Sequence, residues 1–256
     1  MAAIEYETKG NLAIITLNRP EARNAVNGEV AEGMEKALDD YEANDDLRCA
    51  ILKANGKAFC AGADLKLVAA GRAGEMSTKK GGFAGLIQRD RLKPLIAAVT
   101  GSALAGGTEV ALSCDMIVAA DNTNFGLPEV KRSLIAAAGG VFRLPRVIGM
   151  PVALEVIMTG DPLSSQRAYE LGMVNYVVPE GEVFGKAEEL ANRVAVNAPL
   201  AVQASRKLAS RSLLGGEDKE HLKAGFAAFG EIAKTEDFKE GPKAFIEKRA
   251  PVWKGR

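Results

Sequence analysis

Along the chain the apolar positions switch between the strand period and the helix period. Residues 4–8 and 12–17 flank a Lys-Gly-Asn link and read as a β-hairpin. Asn18, Arg19 and Pro20 stop the second strand. Behind Asn27, a residue suited to cap a helix, Val30, Met34, Leu38 and Tyr41 recur at helical spacing with acids on the other face. Short apolar runs at 50–52, 95–99, 116–120 and 174–178 read as buried strands. Helical patterns fill 64–70, 83–91 and 108–114 between them. A helix from Val141 contains Pro145, and further helices follow at 152–158, 165–171, 183–196, 200–211, 219–232 and 241–249. Strands with intervening helices come first and helices dominate the end. This order predicts an α/β fold with an α-helical C-terminal part beginning near Pro199. Residues 71–82 (GRAGEMSTKKGG) carry glycine and charge but almost no large apolar group. They fit either a tolerant surface loop or a mobile wall of a binding pocket.

Candidate chemistry gathers at two corners. The stretch 94–129 runs from a buried strand through Gly101, Ser102, Ala103, Ala105, Gly106 and Gly107 into a helix. Small residues there let a ligand approach the backbone. The first amides of a helix lack internal partners, so Gly106 is placed to donate its N–H to a developing oxyanion. Glu109 lies one turn on, and Glu129 follows the next apolar run and a Phe-Gly-Leu-Pro turn. From spacing alone the two acids also fit blander roles, a favourable first-turn acid and a surface acid after a proline. The stretch 57–65 repeats the design, with Ala63 as the second backbone donor.

With both corners in view, the chain resembles the crotonase (enoyl-CoA hydratase/isomerase) family. The matching pieces are Asn18-Arg-Pro-Glu-Ala-Arg-Asn-Ala25, Phe59-Cys-Ala-Gly-Ala-Asp-Leu65, Gly101-Ser-Ala-Leu-Ala-Gly-Gly-Thr-Glu109, Cys114-Asp115, Phe125-Gly-Leu-Pro-Glu129, Gly139-Gly-Val-Phe-Arg-Leu144 and Met158-Thr-Gly160, in the family's order. The resemblance implies a spiral core of stacked ββα turns over 1–198. It implies a helical region, 199–256, that covers the active site or an adjacent subunit in a homotrimer or dimer of trimers. The implied substrate is an acyl-CoA, with coenzyme A part of the substrate, no separate cofactor and no metal. Ala63 and Gly106 would hold the thioester oxygen. Glu109 and Glu129 would hold a water, Glu109 taking its proton as hydroxide adds to C3 and Glu129 supplying the proton to C2. The loop 18–25 and the corner 61–66 would line the nucleotide end, through Arg23, Ala25, Ala61, Asp64, Leu65 and Lys66. Arg23 and Lys66 also fit solvated side chains, and Asp64 also fits a helix cap.

Reversible hydration of a trans-2-enoyl-CoA is the expected reaction. A Δ3,Δ2-enoyl-CoA isomerase needs only one well-placed base, so keeping both glutamates favours hydration. Two departures from the commoner hydratase pattern stand out. Ala105 replaces the first of three glycines, and residues 133–138 (SLIAAA) stand where many hydratases carry a Gly-x-x-Pro-Gly turn. Gly81-Gly-Phe-Ala-Gly-Leu86 and the ending Glu247-Lys-Arg-Ala-Pro-Val-Trp-Lys-Gly-Arg256 look like those of carnitinyl-CoA dehydratases (crotonobetainyl-CoA hydratases). The ending also fits a docking strand with Trp253 on the core. A trimethylammonium group is usually received by aromatic faces or an acid. Aromatic residues are only 5% of the chain, and Phe83 and Phe142 are the nameable pocket candidates, so an ordinary or branched enoyl-CoA is the expected substrate.

Composition narrows the rest. Thirty-three basic and thirty-three acidic residues cancel, and the helices mix signs, so no nucleic-acid partner is expected. The start shows no charged region leading an apolar stretch, and no apolar run reaches membrane-span length, so no membrane partner is expected. Cys49, Cys60 and Cys114 lack metal-ligand spacing and read as buried free thiols of a cytoplasmic protein. His221, the single histidine, lies in a charged helical pattern far from both corners and reads as a surface residue.

Overall fold

The structure is a computed structural model that describes residues 2–256. It begins with the expected hairpin, β1 (Ile4–Lys9) and β2 (Leu12–Leu17). Helix α1 (Gly28–Ala43) follows. Asn27 caps it by accepting from Val30 N, and Val30, Met34, Leu38 and Tyr41 lie on its buried face.

The chain then repeats one unit, a long strand, a short strand and a helix. The first unit is β3 (Cys49–Ala54), β4 (Ala58–Cys60) and α2 (Leu65–Ala69). A two-residue hairpin, β5 (Ser77–Thr78) and β6 (Gly82–Phe83), leads to the second, β7 (Leu95–Val99), β8 (Ser102–Leu104) and α3 (Gly106–Leu112). The third is β9 (Met116–Ala120), β10 (Asn124–Gly126) and, beyond a 3₁₀ turn at Pro128–Arg132, α4 (Gly140–Ile148). Then come α5 (Met150–Thr159), β11 (Leu163–Ser164), α6 (Ser165–Glu170), β12 (Tyr176–Val178) and α7 (Val183–Ala195). Helices α8 (Pro199–Ser212), α9 (Asp218–Ile232) and α10 (Glu236–Ile246) end the chain.

Long strands form one sheet, ordered β1-β2-β3-β7-β9-β12 and parallel from β2 onward. Short strands form a second, ordered β11-β10-β8-β4. This is the ββα spiral that the resemblance implies. The long strands read as unbroken apolar runs because both faces of their sheet are covered. Ile15, Leu52, Ala97 and Ala119 pack with Met34 and Leu38 of α1 and Phe59 and Phe125 of the second sheet. Leu12, Ile51, Ile96 and Val118 pack with Ala187, Leu190 and Ala191 of α7.

Two expectations about residues 71–91 are corrected. Residues 83–91, expected as a helix, are the end of β6, tight turns over 84–88 and irregular chain after them. Ala84 and Gly85 take positive φ, 56° and 65°, and a Cβ on Gly85 would stand 2.2 Å from the Ala31 carbonyl of α1. Close packing on α1 therefore overrides the apolar spacing of Leu86 and Ile87. Residues 71–82 carry more structure than their composition suggests: a 3₁₀ turn at Ala73–Met76 and the β5–β6 hairpin. Glu35 on α1 accepts from Thr78 Oγ1 and Gly81 N at 2.5 and 2.8 Å, and Asp39 pairs with Lys80. Only 71–75 are exposed throughout, so the loop readings shrink to that part.

At the C-terminal end, α10 starts at Glu236, ahead of its expected 241, because Thr235 Oγ1 caps it by accepting from Phe238 N. The tail docks on the core, as one of its two readings expects. Trp253 Nε1 donates to Val196 O at 2.8 Å, and Arg48 donates to the Trp253 carbonyl at 3.2 Å. Asp237 accepts from Lys254 N and Gly255 N. Helices α8 and α9 bury no residue of their own. Among the described residues no helix is long and apolar enough to cross a membrane.

Candidate active site

Parallel pairing of β4 with β8 brings the two corners together. Gly62, at φ 90°, closes the gap: a Cβ there would stand 2.8 Å from both the Ala105 Cβ and the Gly106 N. Val26 bridges to the first corner, donating to Gly62 O at 2.8 Å and accepting from Asp64 N at 3.0 Å. The Ala63 N–H lies between these bonds. Gly106 is the first residue of α3, where the helix supplies no acceptor for its N–H. Among the described residues, neither the Ala63 nor the Gly106 amide donates to a protein acceptor. Both residues line one cavity of about 1350 Å³. Small-molecule sites commonly span roughly 300–1,000 Å³. The cavity therefore has room for a long ligand.

Ala105 sets the angle of the second corner. Its φ of 52° and ψ of −127° fall where glycine is at home and a methyl group is strained. The surroundings enforce this. Ala105 N donates to Gly126 O, and Ala105 O accepts from Thr108 N and Glu109 N. Thr108 Oγ1 donates to the Ala103 carbonyl at 2.6 Å. Strain of this kind costs roughly 1–3 kcal/mol. The extra freedom glycine brings to the unfolded chain costs only about 0.4–1 kcal/mol. Ala105→Gly is therefore expected to raise the Tm in a thermal melt, by an amount equivalent to about 1 kcal/mol. A lowered Tm would contradict the strain.

Glu109 enters the cavity from the first turn of α3 and is 3% exposed. It does not cap its own helix; its Oε1 accepts from Gly140 N at the start of α4, at 2.9 Å. Burial pushes its carboxyl up to about 7, and the nearby Glu129 charge adds to this. The N–H groups of Gly140 and Ala138 and the Arg143 charge pull the other way. Glu129 comes from the 3₁₀ turn after Pro128 and is half-buried. Burial raises its carboxyl too, against its own backbone N–H and Arg132. Glu129 Oε2 is buried without a hydrogen-bond partner among the described residues. An unpaired buried carboxylate oxygen is uncommon and calls for a role. Two such acids in one cavity hold a proton near neutrality more readily than either alone.

Of the residues expected at the nucleotide end, Arg23, Ala61 and Leu65 line the cavity, as do Ala63 and Gly106. Ala25, Asp64 and Lys66 do not line it. Asp64 Oδ1 caps α2 through Lys66 N, the alternative its position left open. Arg19 ties this corner together, donating to the Ala25 carbonyl at 2.6 Å and pairing with Asp64 at 3.4 Å. Lys66 is exposed on α2. His221 is on α9 and does not line the cavity.

Several cavity residues had no local signal. Arg91 is buried and pairs with Asp115 at 3.1 Å, and Arg206 of α8 pairs with the same carboxylate at 2.7 Å. Burial opposes ionisation of Asp115, but the two guanidinium groups hold it below the usual carboxylate range. This pairing brings α8 to the cavity, which Arg206, Lys207 and Arg211 line on that side. Nothing near 206 in the sequence announces a partner at 115.

The family model described as enoyl-CoA hydratase/isomerase matches residues 7–256. The carnitinyl-CoA dehydratase of Salmonella typhi is 41% identical, the match covering 99% of each chain. The crystal structure of an enoyl-CoA hydratase from Mycobacterium marinum superposes with a TM-score of 0.95 at 42% identity over the whole of both chains. That of a carnitinyl-CoA hydratase from Mycobacterium avium gives 0.80 at 44% identity, again over the whole of both chains.

Proposed function

The chain belongs to the enoyl-CoA hydratase/isomerase family, and on that premise we propose that it adds water reversibly across the C2–C3 double bond of a trans-2-enoyl-CoA thioester. It is a hydro-lyase of the enoyl-CoA hydratase type. One observation carries the assignment of residues: a buried and a half-buried carboxyl, both with raised proton affinity, share a cavity with two unpaired backbone amides.

In the proposed reaction the thioester oxygen sits between Ala63 N–H and Gly106 N–H. Hydroxide addition at C3 places negative charge on that oxygen, where fixed donors act most strongly. Glu109 accepts the water proton, and Glu129 delivers a proton to C2. The unpaired Glu129 Oε2 supports a water held between the acids. Dehydration reverses the roles. The chemistry uses no cofactor beyond the thioester itself. An isomerase needs one base, and the raised proton affinity of both glutamates favours the two-acid reading.

The acyl group is proposed to be uncharged, straight or branched. Phe142 lines the cavity beside Gly139, but Arg143 and Arg146 already lie over its ring, 5.2 and 5.1 Å from the centroid. A quaternary ammonium would meet those cations. Phe83 also lines the cavity, with its ring packed on Gly106 at the oxyanion corner. A panel of enoyl-CoA thioesters, followed by loss of enoyl absorbance, tests this. The expected kcat/KM for crotonyl-CoA or a longer trans-2-enoyl-CoA at least equals that for crotonobetainyl-CoA. Since Glu109 must be ionised to take the water proton, kcat/KM for hydration should fall as pH drops below about 7. Preference for the cationic thioester would overturn the acyl assignment and leave the mechanism standing.

Assembly as a homotrimer or dimer of trimers is proposed for the region 199–256. Phe226 and Phe229 on α9 are 74% and 61% exposed, and Phe245 on α10 is 84% exposed. Such faces call for a surface to bury against. Sedimentation at micromolar concentration is expected to give a trimer or larger species; a stable monomer would refute the assembly. Three free thiols support the proposed cytoplasmic location.

A further inference from the structure

Arg143 takes no part in the steps above, yet its guanidinium spans the cavity end where Glu109 sits. Nη1 donates to the Ala138 carbonyl at 3.1 Å and Nη2 to the Ile87 carbonyl at 2.8 Å. Ala138 and Ile87 both line the cavity, and 51 positions separate them along the chain (138 − 87). The guanidinium folds over Gly139, where a Cβ would stand 2.2 Å from Nη1; Gly139 itself has φ 113°. Residues 138–140 are thus fixed by Arg143 on one side. On the other they hold Glu109 through Gly140 N at 2.9 Å, and the Ala138 N–H favours its charged form.

We infer that Arg143 is a positioning residue for Glu109: it locks the backbone that presents N–H donors to the carboxylate and sets a positive charge beside it. Only the kinetic arm of the test rests on the hydratase reading.

The charged surroundings fix the sign of the effect. Glu109 faces Glu129 from the 3₁₀ turn and Arg143 from α4. Arg143 faces Arg146 on its own helix, Arg91 from the segment before β7, and Cys114 from the link between α3 and β9. Burial pushes the Cys114 thiol up to about 12, so it stays neutral at working pH. Glu129 faces Arg132. Glu129 makes ionisation of Glu109 harder and Arg143 makes it easier. Removing Arg143 therefore lets Glu109 keep its proton to higher pH.

The test compares Arg143→Met and Arg143→Lys with the unaltered protein, and uses Arg146→Met as a control for loss of a nearby cation that does not touch the 138–140 backbone. Carbon-13 carboxyl labelling of glutamate follows Glu109 by NMR without any need for activity; crotonyl-CoA hydration against pH supplies the kinetics. In Arg143→Met the Glu109 titration and the acid limb of kcat/KM should both move to higher pH, and kcat should fall by about 10–100-fold, the lower part of the range for a misaligned acid–base group. Arg143→Lys should keep the titration near its original position and recover part of kcat. Arg146→Met should leave kcat close to that of the unaltered protein. An unmoved Glu109 titration in a folded Arg143→Met protein overturns the inference. If Arg143→Met does not fold, Arg143→Lys decides: it keeps the charge but not the guanidinium's paired bonds to Ala138 and Ile87, and a kcat equal to that of the unaltered protein overturns the inference. Absence of hydration by the unaltered protein would instead count against the proposed reaction, and the NMR arm would still decide the role of Arg143.

Discussion

Replacing Glu109 or Glu129 by glutamine is expected to cut turnover on a trans-2-enoyl-CoA by at least about 10², the usual scale of general acid–base catalysis. The prediction is sharp because glutamine keeps shape and a hydrogen-bond acceptor. In Glu109→Gln the amide oxygen can still accept from Gly140 N, so the α3–α4 contact survives while the base is lost. In Glu129→Gln the side chain stays in its 3₁₀ turn but can no longer exchange a proton with C2. Both proteins should melt close to the unaltered one, since among the described residues neither acid forms a salt bridge. Near-normal hydration by either variant would sink the two-carboxylate assignment. Retention of double-bond migration by the Glu109 variant alone would move the reading to an isomerase.

Removing one oxyanion donor should cost a similar amount. Gly106→Pro deletes the N–H at the first position of α3, where the helix does not use it and proline is tolerated. Space is the obstacle: a Cβ on Gly106 would stand 2.7 Å from the Phe83 ring. The comparison is therefore made in a Phe83→Ala background, with and without Gly106→Pro. The added proline should lower kcat by about 10²–10³, with KM much less affected, because the donor acts mainly on charge that develops in the transition state. Equal kcat in the two proteins, both folded, would remove Gly106 from the oxyanion hole.

The sequence announces the parts of this site that local chemistry marks. Glu109 and Gly106 lie at a small-residue corner after an apolar run, and α3 starts there. Asn27 caps α1 as its position suggests. Continuous apolar runs give β7 and β9, buried on both sides. What local pattern does not mark depends on distant pairing. β4, β8 and β10 have three residues each, too short for a period, and exist because parallel partners hold them. Residues 83–91 carry helix-like spacing, but Gly85 is pressed against Ala31 of α1. Gly140 and Arg143 fall inside the Gly139–Leu144 motif, yet their link to Glu109 appears only when α4 packs on α3. Asp64 fits both a cap and a ligand-facing acid by sequence; the structure places it against Lys66 N and Arg19.

Conversion of crotonyl-CoA in oxygen-18 water, with the product analysed by mass spectrometry, tests the proposed reaction most directly. Hydration by Glu109 and Glu129 predicts a 3-hydroxyacyl-CoA carrying one heavy oxygen at C3, formed by the unaltered protein and lost in the Glu109→Gln, Glu129→Gln double variant. Double-bond migration without heavy oxygen, or equal incorporation by the double variant, would contradict the account.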